Sequence, residues 1–219
     1  MSRALVIAGI VAGVLILIAL GATTFLLRGP DLRAYEPLRD PRITELPATQ
    51  VIEVRFSGNP DTVIGQAFGV LMKSYFGTGG VKKGPGMSPP AARYELLGDK
   101  PFGAAIGPGA RDKLRAETWT GMAAIPVSAS VTQIKAVAAD GMESRLGRWE
   151  YGTVAEILHV GSYETEWPQI DRLTKFITEQ GYEICGPHEE VYLRGPGTPF
   201  VKPANYYTII RYQVRKKGP

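Results

Sequence analysis

The residues best suited to chemistry lie in one stretch, GYEICGPHEEVYL at residues 181–193. Glu190 and Tyr192 are two positions apart, so on a β-strand the carboxylate and the phenol share one face, and Glu189 points the opposite way. A carboxylate beside a phenol can exchange protons with a bound molecule or attract a positive charge. On spacing alone, however, these two residues are no more than a surface pair on one face of a strand.

Several other chemistries lack the residues that they need. The histidines are His159 and His188 and the one cysteine is Cys185, which leaves no cluster with metal-ligand spacing and no internal disulfide. We find no Ser-His-Asp set and no glycine-rich phosphate loop. The net charge of +4 is modest, and the basic residues form no stripe interleaved with aromatic residues. We expect no metal, no cofactor and no nucleic acid partner.

Two stretches of the chain repeat one order of patterns, which indicates an internal duplication. From Val51, apolar residues alternate with Glu53 and Arg55 as in a half-buried strand, and Asn59 and Pro60 then suit the cap and the first turn of a helix. One face of that helix is expected to be apolar and consists of Val63, Ile64, Ala67, Phe68, Leu71, Met72 and Tyr75.

The second copy starts at Val154, turns at Gly161 and continues in a helix that is expected to end at Gly181. The apolar face of this helix consists of Trp167, Ile170, Leu173, Phe176 and Ile177. Two further strands follow in each copy, at residues 92–97 and 121–127 and at residues 190–194 and 206–214. This duplicated β-α-β-β order predicts an α+β fold, an antiparallel-sheet domain with a groove between the repeats as the default ligand site.

The second copy resembles the GyrI-like family of small-molecule-binding domains, which includes the effector-binding domains of multidrug-responsive regulators. HVGSY at residues 159–163 matches the H-x-G-x-Y turn of that family, and residues 181–193 match its G-Y-x-x-x-G-P and E-x-Y-L motifs. The resemblance covers residues 51–214 and is strongest from Val154 onward. No helix-turn-helix or coiled-coil pattern precedes the domain, so a transcription regulator is disfavoured.

The resemblance implies a small amphipathic or cationic ligand in an aromatic groove with a central glutamate. It places Glu190 in the groove with Tyr192 beside it, and Glu189 is then expected to face solvent. A partly desolvated carboxylate needs a positive partner, and aromatic walls add cation–π contact. The candidate wall residues are Tyr94, Tyr163, Trp167, Tyr206 and Tyr207. Glu95, beside Tyr94, is a candidate second carboxylate of the site.

Three other functions stay open at this point. Some GyrI-like proteins resemble hydrolases of strained small molecules, in which Glu190 would be a general acid or base, although no second catalytic signal accompanies it. The SOUL haem-binding family shares the duplicated plan, which makes a haem or tetrapyrrole carrier an alternative, with His159 and His188 as the available histidines. The third alternative is a membrane-proximal protein-interaction scaffold.

A membrane anchor is predicted near the N-terminus, where residues 4–27 carry no charge. At about 1.5 Å per residue this run is about 36 Å long, enough to cross a hydrocarbon core of about 30 Å. Gly9 and Gly13 have the spacing that lets two helices approach closely, which suggests a dimer. A single-pass protein with a cytoplasmic C-terminal domain is favoured by the arginines that follow the run, Arg28, Arg33, Arg39 and Arg42.

The remaining boundaries follow from composition. Four regions are predicted in chain order, namely a transmembrane anchor at residues 1–28, a Pro- and Arg-containing stalk at residues 29–50, the GyrI-like domain at residues 51–214 and a basic tail at residues 215–219. Within the domain, repeat one is expected at residues 51–128 and repeat two at residues 150–214. Residues 77–90 and 98–118 are expected to be long loops.

Overall fold

The computed structural model describes residues 31–97, 100–101, 117–198 and 200–218. The predicted anchor at residues 4–27, with Gly9 and Gly13, lies outside these residues, and so does most of the predicted loop at residues 98–118. No helix in the described ranges combines the length and the apolar character that crossing a bilayer requires.

The described chain has a mixed α+β fold. Its strands are β1 (Arg42–Leu46), β2 (Thr49–Gly58), β3 (Ala91–Leu97), β4 (Lys100–Pro101), β5 (Trp119–Pro126), β6 (Ala138–Ala139), β7 (Met142–Trp149), β8 (Gly152–Val160), β9 (Tyr182–Arg194) and β10 (Tyr207–Lys216). Its α-helices are α1 (Pro60–Gly77) and α2 (Trp167–Glu179). Short 3-10 helices occur at Leu32–Arg39, Gly84–Gly86, Tyr163–Thr165 and Pro203–Asn205.

The strands form a large antiparallel sheet in the order β1-β8-β10-β9-β3-β5-β2-β7-β6, with β4 beside β3. Two groups of three strands, β8-β10-β9 and β2-β5-β3, meet where β9 pairs with β3. In this central pair Tyr94 lies opposite His188, and Ala92 lies opposite Glu190. Each group follows the chain order strand, helix, strand, strand, while the origin of the two halves by duplication stays a prediction.

Both α-helices pack on the same face of the sheet. α1 covers β2, β3 and β5 through a core that includes Phe56 and Leu71, and α2 covers β8 and β10 through a core that includes Leu173 and Ile210. Trp167, the first residue of α2, packs against both cores. Residues of β3 and β9 that point to this face are therefore flanked by both helices.

Helix α1 begins as the sequence predicts. The Asn59 side-chain oxygen accepts a hydrogen bond from the Asp61 N–H at 2.9 Å, and Pro60 occupies the first turn, where a missing N–H has no consequence. Helix α2 ends at Glu179, and Gly181 follows with a φ of +76°, a conformation that glycine adopts without strain.

Strand β9 is longer than its pattern indicates. The sequence predicts a strand only from Glu190 to Arg194. The structure extends β9 back to Tyr182, and the register against β10 is irregular opposite Gly186 and Pro187. Such an irregularity lets a strand accommodate a proline, which cannot donate a ladder hydrogen bond.

The stalk predicted at residues 29–50 is wrong for the part that the structure describes. Leu32–Arg39 form a 3-10 helix whose Leu38 is buried against β8, β9 and β10, and β1 pairs with β8. Pro41 and Pro47 flank β1 without interrupting it, and an edge strand tolerates proline at its ends. The prolines argued correctly against an α-helix, but the folded domain begins well before Val51.

Candidate functional site

Strand β9 carries the candidate site on its helix-facing side. His188, Glu190 and Tyr192 alternate along the strand, so their side chains share this side. Glu190 is 7% exposed and lies in register between Ala92 of β3 and Ile210 of β10. The glutamate singled out by the sequence is therefore a buried residue near the middle of the sheet.

A chain of hydrogen bonds converges on the Glu190 carboxylate. Tyr192 donates its hydroxyl hydrogen to Glu190 Oε2 at 2.8 Å, and His188 Nε2 lies 3.1 Å from Glu190 Oε1. Since an ionised carboxylate only accepts, Nε2 carries the hydrogen, and Nδ1 then accepts from the Tyr212 hydroxyl at 2.7 Å. Tyr94 completes the chain by donating to the Tyr192 hydroxyl oxygen at 2.7 Å. This arrangement stabilises negative charge on Glu190.

Aromatic rings surround the same carboxylate. The ring pairs and their centroid distances are Tyr94–Trp119 at 5.4 Å, Phe68–Tyr192 at 5.5 Å, Tyr163–Tyr192 at 6.0 Å and Tyr163–Tyr206 at 5.6 Å. The half-buried members of the group are Phe68, Trp119, Tyr163, Trp167, Tyr192 and Tyr206. Since these rings retain exposed surface, the aromatic wall extends from the buried carboxylate to solvent.

A second carboxylate, Glu166, joins Glu190 in this cluster. The chain turns after β8 at Gly161, whose φ of +144° favours glycine and where an added Cβ would clash with the next turn. It then passes through Tyr163–Thr165 to Glu166, the residue before α2. One ligand atom from each of Glu166, His188 and Glu190 lies within 4.8 Å of the others. The Oε2 atom of Glu166 is buried and has no hydrogen-bond partner.

Burial and negative charge shift the protonation of the cluster. Burial, followed by the nearness of Glu190, raises the pKa of Glu166 well above its ordinary value of 4.5. The same two causes raise the pKa of Tyr94 and Tyr192 well above the ordinary value of 10.0. They also raise the pKa of two further tyrosines, Tyr163 and Tyr212. The tyrosines therefore stay protonated and able to donate hydrogen bonds.

The other buried glutamates of the described chain all have arginine partners. The ion pairs are Glu189 with Arg93 at 2.7 Å and Arg211 at 2.7 Å, Glu156 with Arg42 at 2.6 Å and Arg211 at 2.8 Å, and Glu53 with Arg145 at 2.8 Å. Within the described ranges neither Glu166 nor Glu190 forms an ion pair with lysine or arginine. The basic side chain beside Glu190 is His188. The helix-facing acids therefore lack the compensating charge that the other acids have.

Two expectations about carboxylates are wrong. Glu189 is not exposed to solvent, since it is only 3% accessible and two arginines compensate its charge on a covered face of the sheet. Glu95 does not enter the site, because it lies at a register shift of β3 and pairs at 2.8 Å with Arg55, an exposed side chain of β2. The second carboxylate of the cluster is Glu166.

The structure brings together the site residues proposed from the sequence, which are Tyr94, Tyr163, Trp167, Glu190 and Tyr192. Tyr206 contacts Tyr163 at the edge of this group, whereas Tyr207 packs on the other side of the sheet against Arg194. Sequence reasoning missed Glu166 and the participation of His188. His188 could have been identified, because it is two positions before Glu190 and so lies on the same side of the strand. No sequence pattern identified Glu166.

The ligand types of Glu166, His188 and Glu190 also occur in transition-metal sites. Both ring nitrogens of His188 already take part in hydrogen bonds, and Nε2 carries the hydrogen. We therefore describe the cluster as a hydrogen-bond network around two acids and assign no metal to it. His159 is similarly engaged, since its Nε2 is bonded to the Ser162 carbonyl oxygen at 2.9 Å.

Comparison with known proteins reveals similarity of fold. No protein-family model and no curated protein matches the chain. Among solved structures, a hydrolase from Listeria innocua is 17% identical with a TM-score of 0.56, over 86% of this chain and 100% of that one. A Listeria innocua hydrolase encoded by lin2189 is 19% identical with a TM-score of 0.58, over 84% and 96%.

The C-terminal domain of EcmrR is a third similar structure. It is 13% identical with a TM-score of 0.52, over 81% of this chain and 98% of that domain. At these identities the similarity establishes a shared fold. The α+β architecture predicted from the sequence is therefore also that of the EcmrR C-terminal domain and of two proteins described as hydrolases.

Proposed function

We propose that this protein binds a small amphipathic cation against Glu190. The observation that carries the proposal is a contrast among the buried glutamates. Glu53, Glu156 and Glu189 are paired with arginine, whereas the partners of Glu190 in the described chain include a histidine and a tyrosine. Burying a carboxylate without a compensating positive charge costs on the order of several kcal/mol. A cationic ligand would supply that charge.

The aromatic residues favour a ligand with both charge and apolar surface. A cation over a tyrosine or tryptophan face gains about 0.5–2 kcal/mol, with the larger values in desolvated sites. Tyr163, Trp167 and Tyr192 are half-buried, so their rings can contact a ligand and also shield it from water. This combination distinguishes an amphipathic cation from a simple inorganic one.

Unpartnered polar atoms lie near the same cluster. In the described chain the buried side-chain atoms without a hydrogen-bond partner are Glu166 Oε2, Gln169 Oε1 and Thr208 Oγ1. Gln169 is in the first turn of α2 after Glu166, and Thr208 is in register with Tyr192. Buried polar atoms nearly always have a partner in folded proteins. A bound positive charge or a hydrogen-bond donor would compensate such atoms.

The motifs of the second half supply the remaining support. HVGSY and the E-x-Y-L tetrad resemble the GyrI-like family, and the fold is shared with the EcmrR C-terminal domain. Within that resemblance, small-molecule binding at the glutamate of the tetrad is the expected role of Glu190.

Isothermal titration with benzyltrimethylammonium tests the proposal, using the full-length chain in a non-ionic detergent. We expect Glu190→Gln to weaken binding by at least about tenfold, because the charge pairing is lost. The matched control is Asp171→Asn, which removes an exposed carboxylate of α2 outside the cluster. Equal affinities of the parent and Glu190→Gln would refute the proposal, provided that circular dichroism shows both to be folded.

A hydrolase of strained small molecules is the second candidate. Glu190 beside a second acid whose pKa is raised, Glu166, is the kind of carboxyl pair that acid–base catalysis uses. Two proteins of the same fold are described as hydrolases, although a fold alone does not determine activity. Turnover of a cyclopropane-bearing substrate by the parent and not by Glu190→Gln would support this candidate, and recovery of unchanged substrate would exclude it for that compound.

We also propose that residues 4–27 hold the domain at a membrane, on the cytoplasmic side. The support is the uncharged run and the arginines that follow it. A topology reporter fused after Pro219 tests this orientation, and dimerisation through Gly9 and Gly13 stays a prediction.

Two other functions have simple tests. A Soret band on haem titration would favour the haem or tetrapyrrole carrier. A reproducible partner protein, found without stabilisation by any small molecule, would favour the protein-interaction scaffold.

A further inference from the structure

We infer that Glu166 is a second acid of the cation site, which holds a proton in the unliganded protein and releases it when a cation binds. This inference rests on the proposed binding of cations at Glu190. The O–H bond of the Glu166 carboxyl group breaks, the proton passes to the buffer, and the carboxylate that remains faces the cation together with Glu190. The net charge of the cluster with its ligand then equals that of the unliganded cluster.

The geometry of the cluster favours retention of one proton. A carboxylate oxygen of Glu166 lies within 4.8 Å of one of Glu190, and Glu190 and the Oε2 atom of Glu166 are shielded from water. Two ionised carboxylates repel strongly at such separations, so a pair of this kind keeps a proton on one member. A cation in contact with both acids would remove the reason for keeping it.

The hydrogen bonds indicate which acid holds the proton. Glu190 accepts from Tyr192 and His188, and both bonds stabilise its ionised form. Glu166 Oε2 has no hydrogen-bond partner that would stabilise negative charge on that atom. The raised pKa of Glu166 agrees with this assignment.

In the described chain no lysine or arginine is among the groups that face the two acids. The titratable groups that lie on the helix-facing side around the two acids are Tyr94 of β3, His159 of β8, His188 and Tyr192 of β9, Tyr212 of β10, and Tyr163 and Tyr206 of the connecting segments. The charged side chains of α1 and α2 are exposed. Glu190 raises the pKa of several of these tyrosines, which keeps them neutral. Proton release on binding is therefore expected from Glu166.

A coupled proton makes cation affinity depend on pH. Because the cation and the proton compete for the same negative charge, affinity rises with pH while unliganded Glu166 is protonated. The rise is at most about tenfold per pH unit for one proton. Above the pKa of unliganded Glu166 the affinity becomes constant.

Titration calorimetry in several buffers measures the number of protons released. The full-length chain is titrated with benzyltrimethylammonium at one pH in buffers of different ionisation enthalpy, with a chelator present to exclude metal ions. We expect the parent and Asp171→Asn to release up to about one proton per bound cation. Glu166→Gln should still bind the cation, release almost none and lose the pH dependence. Equal proton release from the parent and Glu166→Gln would overturn the inference, and so would a parent affinity that does not change with pH.

A second readout needs no ligand, so it separates this inference from the proposed function. Infrared spectra of the unliganded chain at neutral pH should contain a protonated-carboxyl band in the parent and in Asp171→Asn that Glu166→Gln lacks. Absence of that difference overturns the inference even if cations bind at Glu190. Its presence, combined with equal cation binding by the parent and Glu190→Gln, upholds the retained proton and overturns the proposed function.

Discussion

At the scale of single residues, the buried acids differ in whether an arginine compensates their charge. Glu156 and Glu189 are each held by two arginines. Glu190 is held by hydrogen-bond donors that carry no permanent charge, and Glu166 by none at its Oε2 atom. The first arrangement is complete without a ligand, whereas the second remains dependent on a proton or a cation.

The pKa shift of Glu166 predicts a pH-dependent stability. Folding raises this pKa above 4.5, so the folded state binds more protons than the unfolded state, and the contribution to stability is lost as pH rises from 4.5 through the raised value. Glu166→Gln removes the effect. The unfolding free energy of Glu166→Gln minus that of the parent should therefore increase with pH, by up to about 1.4 kcal/mol per pH unit. Urea denaturation at several pH values measures it, and parallel curves would contradict it.

The Tyr192 hydroxyl is predicted to contribute more to the unfolding free energy than a tyrosine hydroxyl without a partner. It donates to Glu190 and accepts from Tyr94, so Tyr192→Phe leaves two buried groups short of a partner and should cost about 1–3 kcal/mol of unfolding free energy. Tyr182→Phe is the control, since the Tyr182 ring packs on the α2 core and its hydroxyl has no partner in the described chain. Equal denaturation midpoints of the two variants would refute this role.

Single residues of the site were predictable to different degrees. Strand alternation was enough to pair Glu190 with Tyr192, because that geometry is local. Glu166 is distant in sequence from the strand that it faces, and its burial depends on how the segment after Gly161 folds back. Burial of Glu189 depends in the same way on arginines from two other strands. A local pattern contains neither kind of information.

At the scale of elements, ion pairs connect the strands on the side of the sheet opposite Glu190. Arg211 of β10 bonds Glu156 of β8 and Glu189 of β9, and Arg93 of β3 extends the network to the other half. Tyr151 packs against Arg93 and Arg211, and burial raises its pKa to about 12. The ion pairs on the face opposite the helices therefore hold β3 and β9 together, which positions His188 and Glu190 on the helix-facing side.

Two arginines of this network are predicted to contribute unequally. Arg211→Met should destabilise the fold by about 3 kcal/mol or more, because it leaves two buried carboxylates with reduced compensation. Arg42→Ala should cost less than about 1 kcal/mol, since that side chain is 52% exposed and Arg211 still pairs with Glu156. Chemical denaturation of both variants provides the comparison. A larger loss for Arg42→Ala would contradict the assigned order.

The sequence predicted elements where one period governs a whole segment. Helix α1 has a cap at Asn59 and an apolar stripe, and strand β2 alternates, so both were found. β7 was missed because it lies between the two predicted repeats and pairs with β2 through non-local contacts. β1 was missed because the prolines around it dominated the interpretation of its segment, although an edge strand accommodates them.

At the scale of the whole molecule, the two strand groups and their helices meet at one central pair of strands. The acids, the histidine and the tyrosines of the cluster come from both groups and from the segment before α2. The chain before β2 also belongs to this body, through Leu38 and β1. The predicted anchor is therefore separated from the folded domain by only a short segment, residues 28–31.

Removal of the first folded segment should therefore be costly. A chain that begins at Thr49 loses the buried Leu38 and the β1–β8 pairing that a chain beginning at Asp31 retains. We expect a loss of about 3 kcal/mol or more in unfolding free energy, from apolar burial and strand pairing together. Urea denaturation of the two chains measures the difference. Equal stability would restore the interpretation of this segment as a stalk.

The central claim is that Glu190 recognises the positive charge of the ligand itself. Its most direct test compares benzyltrimethylammonium with neopentylbenzene, the uncharged carbon isostere, by binding each to the parent and to Glu190→Gln. We predict that the substitution weakens binding of the cation by at least about tenfold and does not weaken binding of the isostere. Equal losses for the two ligands, or no loss for the cation, would contradict the claim.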